Sequence, residues 1–167
     1  MFNACIRKIE GTMGMKKSEL RQIIKEEIKS LLTESTRSRV GMLNPDGTIT
    51  SIYVHYDGYI DGVGKTLKQH YKNPVLVKKM MSLGDASFLE PKLDPSGEHS
   101  FNNPEKGVTV FYGRDRGEKG VNTLKDRTLQ GFLNTSHDSG ADYMYLFDPK
   151  AKTWTVSKIG SKEFKKI

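Results

Sequence analysis

Sulfur chemistry is nearly absent from this chain, which holds one cysteine, Cys5, among its 167 residues. A single thiol excludes an intrachain disulfide framework and a cysteine-built metal site. Long apolar runs are missing too: none approaches the ~18 residues that a membrane span needs. Met1 to Gly14 carries no long apolar segment of the kind that directs secretion. Apolar residues make up 35% of the chain, below the ~45–50% (Gly included) of an ordinary globular protein, so the core must be modest. No internal repeat and no low-complexity tract is visible. No serine sits in a nucleophile elbow, and His70, His99 and His137 stand isolated, so no catalytic residue is assigned. These absences lead to the expectation of a cytoplasmic, non-enzymatic protein, in a bacterium or an infected host cell, with no cofactor, no metal and no membrane contact.

What is present begins with charge. The formal net charge is +7, and its distribution matters more than its sum. Residues 1–36 contribute +2, the body at 37–157 another +2, and the last ten residues +3. A body built on nucleic acid would show a strong basic excess, so nucleic acid is not the expected partner. Lys162, Lys165 and Lys166 read as a solvated basic tail at 161–167.

Periodicity divides the rest. Residues 1–17 show none and are expected to form a flexible tail. From Ser18 onward Leu20, Ile23, Ile24, Ile28, Leu31 and Leu32 recur at three- and four-residue steps, which predicts an amphipathic helix over 18–33 with a linker to residue 36. Its apolar stripe must cover the body, a twin helix or a partner, so self-association and docking on a host protein are both expectations.

The segment 37–160 reads as one α+β domain. Arg39–Leu43 and Thr48–Tyr56 form a hairpin around Asn44-Pro45-Asp46-Gly47, whose Pro and Gly suit a type I turn followed by positive φ. Val63, Leu67 and Tyr71 mark a helix. Asn73 caps another, with Pro74 at its first position, Val77, Met80 and Met81 inward and Gly84 as its stop. Residues 85–107 lack periodicity and read as a long surface loop. A strand at Val108–Tyr112 runs into the Gly-bracketed loop Gly113–Glu118. A helix follows from Thr123 with Leu124, Thr128, Phe132 and Leu133 inward, and Tyr143–Phe147 with Thr153–Ile159 close a hairpin. The expected fold is a mainly antiparallel sheet of about five strands with helices on one face.

Three short segments carry chemistry. Gly62-Val63-Gly64-Lys65-Thr66 resembles the end of a phosphate loop, but the full motif needs Gly where Tyr59 stands, which removes an NTPase. A weaker form remains, in which free amides at a Gly-rich helix start and Lys65 hold a phosphate. His55-Tyr56-Asp57-Gly58-Tyr59 places three rings at a strand end, a stacking wall for a base or simply a core tyrosine beside a surface histidine. A metal site from His55, Asp57 and Asp61 is a third reading. Arg114-Asp115-Arg116, after Tyr112, suits bidentate phosphate binding, or an internal network in which the arginines hold the loop.

Taken together, Ser38-Arg39-Val40-Gly41, Asp46-Gly47, Ser51-Ile52-Tyr53-Val54-His55-Tyr56-Asp57-Gly58-Tyr59, Val63-Gly64 with Leu67 and Tyr71, and Arg114-Asp115-Arg116-Gly117-Glu118 resemble a family of small tailed-phage proteins over about residues 36–160. Members of that family often carry Trp at the position of Tyr56 and His at that of Gly113. The Lys-Lys-Ser-Glu-Leu-Arg start of the first helix is similar to leaders of other marine-phage proteins. The resemblance implies an accessory role, of which sequestering a nucleotide immune signal is one form. The expected function is therefore binding of a nucleotide-like, phosphate-bearing small molecule. His55, Tyr56 and Tyr59 would contact the base, Lys65, Arg114 and Arg116 the phosphate, and Asp57 and Tyr112 would belong to the same binding site. Three alternatives stand beside it: a module that inhibits a host protein through the 18–33 helix, a nucleic-acid binder driven by the basic tail and the arginine loop, and an enzyme such as a nuclease or nucleotide hydrolase.

Overall fold

The computed structural model describes Ile23 and residues 36–167. The tail at 1–17 and the helix at 18–33, apart from Ile23, lie outside the described residues.

The first hairpin forms where the sequence places it. Strands β1 (Ser38–Leu43) and β2 (Ile49–Val54) pair antiparallel, Val40 opposite Ile52. Gly47, at φ +80°, closes the turn by donating its N–H to Asn44 O at 3.0 Å, and Asp46 Oδ1 accepts from Thr48 N at 3.0 Å. Alternation along β2 sends Ile52 and Val54 to one face and Ser51 and Tyr53 to the other. A π-helical turn (Ile60–Gly64) runs directly into α1 (Lys65–His70). Helix α2 (Pro74–Ser82) is capped by Asn73 Oδ1, which accepts from Val75 N at 2.9 Å.

Beyond this point the structure departs from the expected loop. Residues 85–107 supply β3 (Ala86–Phe88), and β4 (Val110–Phe111) follows. The expected charged loop is a short helix, α3 (Tyr112–Arg116), ended by Gly117 at φ +69°. The helix expected from Thr123 starts later. Leu124–Asp126 is strand β5, paired with Ile49–Ser51, and α4 (Leu129–Asp138) is capped by Thr128, whose hydroxyl accepts from Gly131 N at 3.1 Å. Leu124, expected inward, is 47% exposed. Strands β6 (Tyr143–Asp148) and β7 (Thr153–Lys158) form the second hairpin. The stretch expected as a trailing tail contains β8 (Lys165–Lys166), which pairs with β7.

The strands join one eight-stranded sheet in the order β4-β3-β2-β1-β6-β7-β8, with β5 also on β2. Five pairings are antiparallel, whereas β1–β6 and β2–β3 are parallel. The expectation of about five strands fell short because β3, β5 and β8 hold only two or three residues each, too few to show a period of two.

Helices on one face is likewise corrected. Val63, Leu67, Tyr71, Val77 and Met80, from the π turn, α1, the residue after it and α2, cover Val40, Ile52, Val54, Tyr145, Phe147 and Trp154. On the other face Phe132 of α4 packs with Ile49 and Met144 and lies against Gly41. Strands β2 and β6 carry apolar side chains on both sides, so both sides need cover. On the α4 side Arg39 is buried at 3% exposure and donates from Nε to Ser51 Oγ at 3.0 Å. Burial lowers its pKa, against the opposing charges of Asp85 and Asp126. Among the described residues no helix is long and apolar enough to cross a membrane.

Candidate functional site

The chain continues past β2 in extended form, with His55 N bonded to Ala86 O (3.1 Å) and Tyr56 N to Ser87 O (2.9 Å). This extra pairing carries Tyr53, His55 and Tyr56 to the end of the sheet beside the start of α3, whose Tyr112 N donates to Asp85 O at 2.9 Å. The side chains meet there. Tyr53 Oη lies 2.9 Å from His55 Nδ1, and the His55 and Tyr56 rings stand edge to face with centroids 4.5 Å apart. Burial first, then the charges of Arg37 and Arg116, lower the His55 pKa, so its ring is neutral near pH 7. Arg116 lies between two further rings, 4.3 Å from the Phe101 centroid and 4.6 Å from that of Tyr112. Its Nε pairs with Glu118 at 2.7 Å, and Nη1 makes a long contact of 3.4 Å to Ser87 Oγ. Burial raises the Tyr112 hydroxyl pKa.

Tyr56 also lines a 390 Å³ cleft with Asp57, Phe88, Leu89 and Glu90. Burial, and then the nearby Asp57 charge, push the Glu90 carboxyl up. The cleft thus brings two carboxyl groups beside two rings. It admits a ligand of low negative charge better than a polyphosphate.

Of the expected ligand residues, His55, Tyr56, Tyr112 and Arg116 come together, with Asp57 at the cleft edge. Arg114 does not join them. Its Nε and Nη2 donate to Asp115 at 2.6 and 2.8 Å, Nη1 donates to Leu93 O at 2.6 Å, and Nη2 also reaches Thr109 O at 2.8 Å. A guanidinium so engaged has little left for phosphate. It ties α3 to the loop before β4. Asp115 is the hub of that tie, accepting also from Phe111 N at 2.7 Å and facing His99 Nε2 at 3.3 Å. Burial pushes the Asp115 carboxyl up, but the bonds from Arg114 and Phe111 outweigh it and hold the pKa below the usual value.

The Gly-rich helix start is corrected as a phosphate grip. Val63 N donates to Asp57 O (2.8 Å), Gly62 N and Gly64 N to Tyr59 O (3.1 and 3.3 Å), and Lys65 N to carbonyls of the same turn. The amides of Gly62, Val63, Gly64 and Lys65 are thus all engaged by carbonyls of the chain. The glycines are there for close approach: a Cβ on Gly62 would lie 2.3 Å from Asp57 O, and one on Gly64 3.1 Å from the Tyr145 ring. Tyr59 therefore serves this turn through its carbonyl. Lys65 lines a separate depression with Ile60, Asp61, Lys68 and Lys72. Among the described residues no three His, Cys, Asp or Glu side chains converge to hold a metal ion, which leaves the His55, Asp57 and Asp61 reading without geometric support.

Tyr53, Ser87, Phe101 and Arg37 belong to this neighbourhood although none was among the expected ligand residues. Tyr53 was readable, since it shares a strand face with His55. Phe101 comes from an aperiodic, proline-containing stretch that gives no such signal. No family model, curated protein or solved structure matches the chain.

Proposed function

We propose that this protein binds, without transforming, a nucleotide-like small molecule that carries a phosphodiester, and that the contact surface is the ring cluster at the end of β2. In the setting implied by the resemblance to tailed-phage proteins, such binding sequesters a nucleotide immune signal in the infected cell. The observation that supports this reading is Arg116. Its guanidinium lies between Phe101 and Tyr112, and no hydrogen bond engages its Nη2 among the described residues. A stacked, pre-oriented guanidinium suits a phosphate, since the fork loses little freedom on binding. Neighbouring His55 and Tyr56 offer ring surface to a base, and Tyr53 on Nδ1 leaves His55 Nε2 for a polar contact. Asp57 and Glu90 disfavour a ligand with several phosphate charges.

The test is calorimetry and thermal shift against cyclic dinucleotides and ADP-ribose derivatives. Binding tighter than about 10 μM, equivalent to about 7 kcal/mol, is expected for one class, with Arg116→Ala at least tenfold weaker. No binding at that level across the panel overturns the proposal.

A further inference from the structure

A second surface is built from lysines that the sequence scatters. Lys65, Lys68 and Lys72 follow at steps of three and four along α1 and its exit, and so share one side. Three adjoining depressions, of 590, 260 and 530 Å³, connect that side to Lys152, before β7, and to Lys165 and Lys166 on β8. Ile167 lines all three, so they form one continuous groove. Asp61 and Glu163 are the acidic side chains lining it. None of the six lysines has a salt-bridge partner among the described residues, in contrast to Lys79 and Lys125, which pair with Asp94 and Asp46.

We infer that this groove is a docking surface for the phosphate backbone of duplex nucleic acid. Each physical feature narrows the partner. An unneutralised row of cations on two walls of one groove attracts a linear polyanion and releases its counterions. Protein interfaces are depleted in lysine and rich in exposed aromatic and arginine anchors, and this groove has the opposite make-up. Membrane insertion needs large exposed apolar groups, whereas the large exposed apolar side chain at the groove is Ile60 alone. Single strands are held by stacking on exposed rings. Here Trp154 is buried at 2% exposure and Tyr143 lies under Lys158. Lysine without arginine makes point-charge contacts to phosphate and reads no base edge, so binding is independent of sequence.

The experiment is fluorescence anisotropy of the full chain with a labelled duplex of about 20 bp, over about 50–200 mM salt. The expected slope of log K against log salt is about −3.6 if four phosphates are engaged. Combining Lys65→Ala, Lys68→Ala and Lys72→Ala is expected to weaken binding at least tenfold and to flatten the slope by about 0.9 for each phosphate no longer neutralised. The pair Lys152→Ala and Lys166→Ala tests the opposite wall with the same readout. Arg116→Ala is expected to leave duplex binding unchanged, which separates this groove from the ring cluster. Wild-type affinity in both lysine variants overturns the inference, as does a flat salt response. Tighter binding to the single strand, or binding to vesicles of phosphatidylcholine and phosphatidylserine without binding to duplex, overturns it as well.

Discussion

The ring cluster at the end of β2 and the lysine groove along β8 use charge in opposite ways. In the first, cations are few and nearly all tied: Arg114 to Asp115 and two carbonyls, Arg116 to Glu118 and two rings. In the second, six lysines stand without carboxylate partners among the described residues. A charge embedded in the packing is part of the fold, and removing it leaves a partner unsatisfied. An exposed unpaired lysine contributes little to stability. The two regions should therefore separate cleanly under mutation.

The largest effect is expected at the base of the ring region. Asp115, with 3% side-chain exposure, answers Arg114 and the Phe111 amide. Asp115→Ala should cost about 3 kcal/mol or more, since it strands a guanidinium and an amide, and urea titration would measure it. A loss below about 1 kcal/mol would contradict the hub role. Next comes Gly62→Ala. Its methyl would meet Asp57 O, a backbone atom, at 2.3 Å, so the turn must shift, and a cost of about 1–3 kcal/mol is expected from the same titration. Arg116→Ala should fall lower, near 1 kcal/mol, because it removes ring contacts on a partly exposed side chain, while the proposed ligand binding should weaken at least tenfold.

Smaller still is the pH response of His55. Its folded pKa lies below the unfolded value of 6.5. Stability is therefore unaffected well above pH 6.5 and declines as pH falls through that value, where the unfolded chain takes up the proton more readily. The melting temperature should drop between about pH 7.5 and 5.5, and His55→Gln should reduce that drop; an unchanged pH profile in the variant would remove the shift as its cause. The smallest change is Lys68→Ala, expected within about 0.5 kcal/mol of the parent. A larger loss would mean that the groove belongs to the fold after all.

Legibility in the sequence followed the range of the interactions. The Asn44–Gly47 turn, the Asn73 cap and the β6–β7 hairpin depend on neighbours, and the sequence places each of them. Strand β5 was hidden because Leu124 fits a helical spacing with Thr128 and Phe132, while its actual partners, Ile49–Ser51, lie far back in the chain. Strand β8 was hidden because two lysines read as a solvated end until β7 pairs with them. The ring site was half readable: His55, Tyr56, Tyr112 and Arg116 stood out, but Arg114 looked equal to Arg116. The carbonyls of Leu93 and Thr109, which take up Arg114, and the Phe101 ring against Arg116 distinguish them. The phosphate grip at Gly62–Lys65 misled for the opposite reason. Its glycines serve contacts with Asp57 and Tyr145 that spacing does not reveal.

The parallel pairing of β1 with β6 sets the pace at which this protein can assemble. Ser38 lies beside Tyr143 and Arg37 N bonds to Asp142 Oδ2, a sequence separation of 105 residues. Closing a loop of that length costs roughly 4 kcal/mol before the contacts it permits are made, and topologies dominated by such pairings fold slowly. The β1–β2 hairpin can form as soon as it leaves the ribosome. The centre of the sheet waits until β6 has followed, so during synthesis the free edge of β1 stays open for the whole intervening stretch.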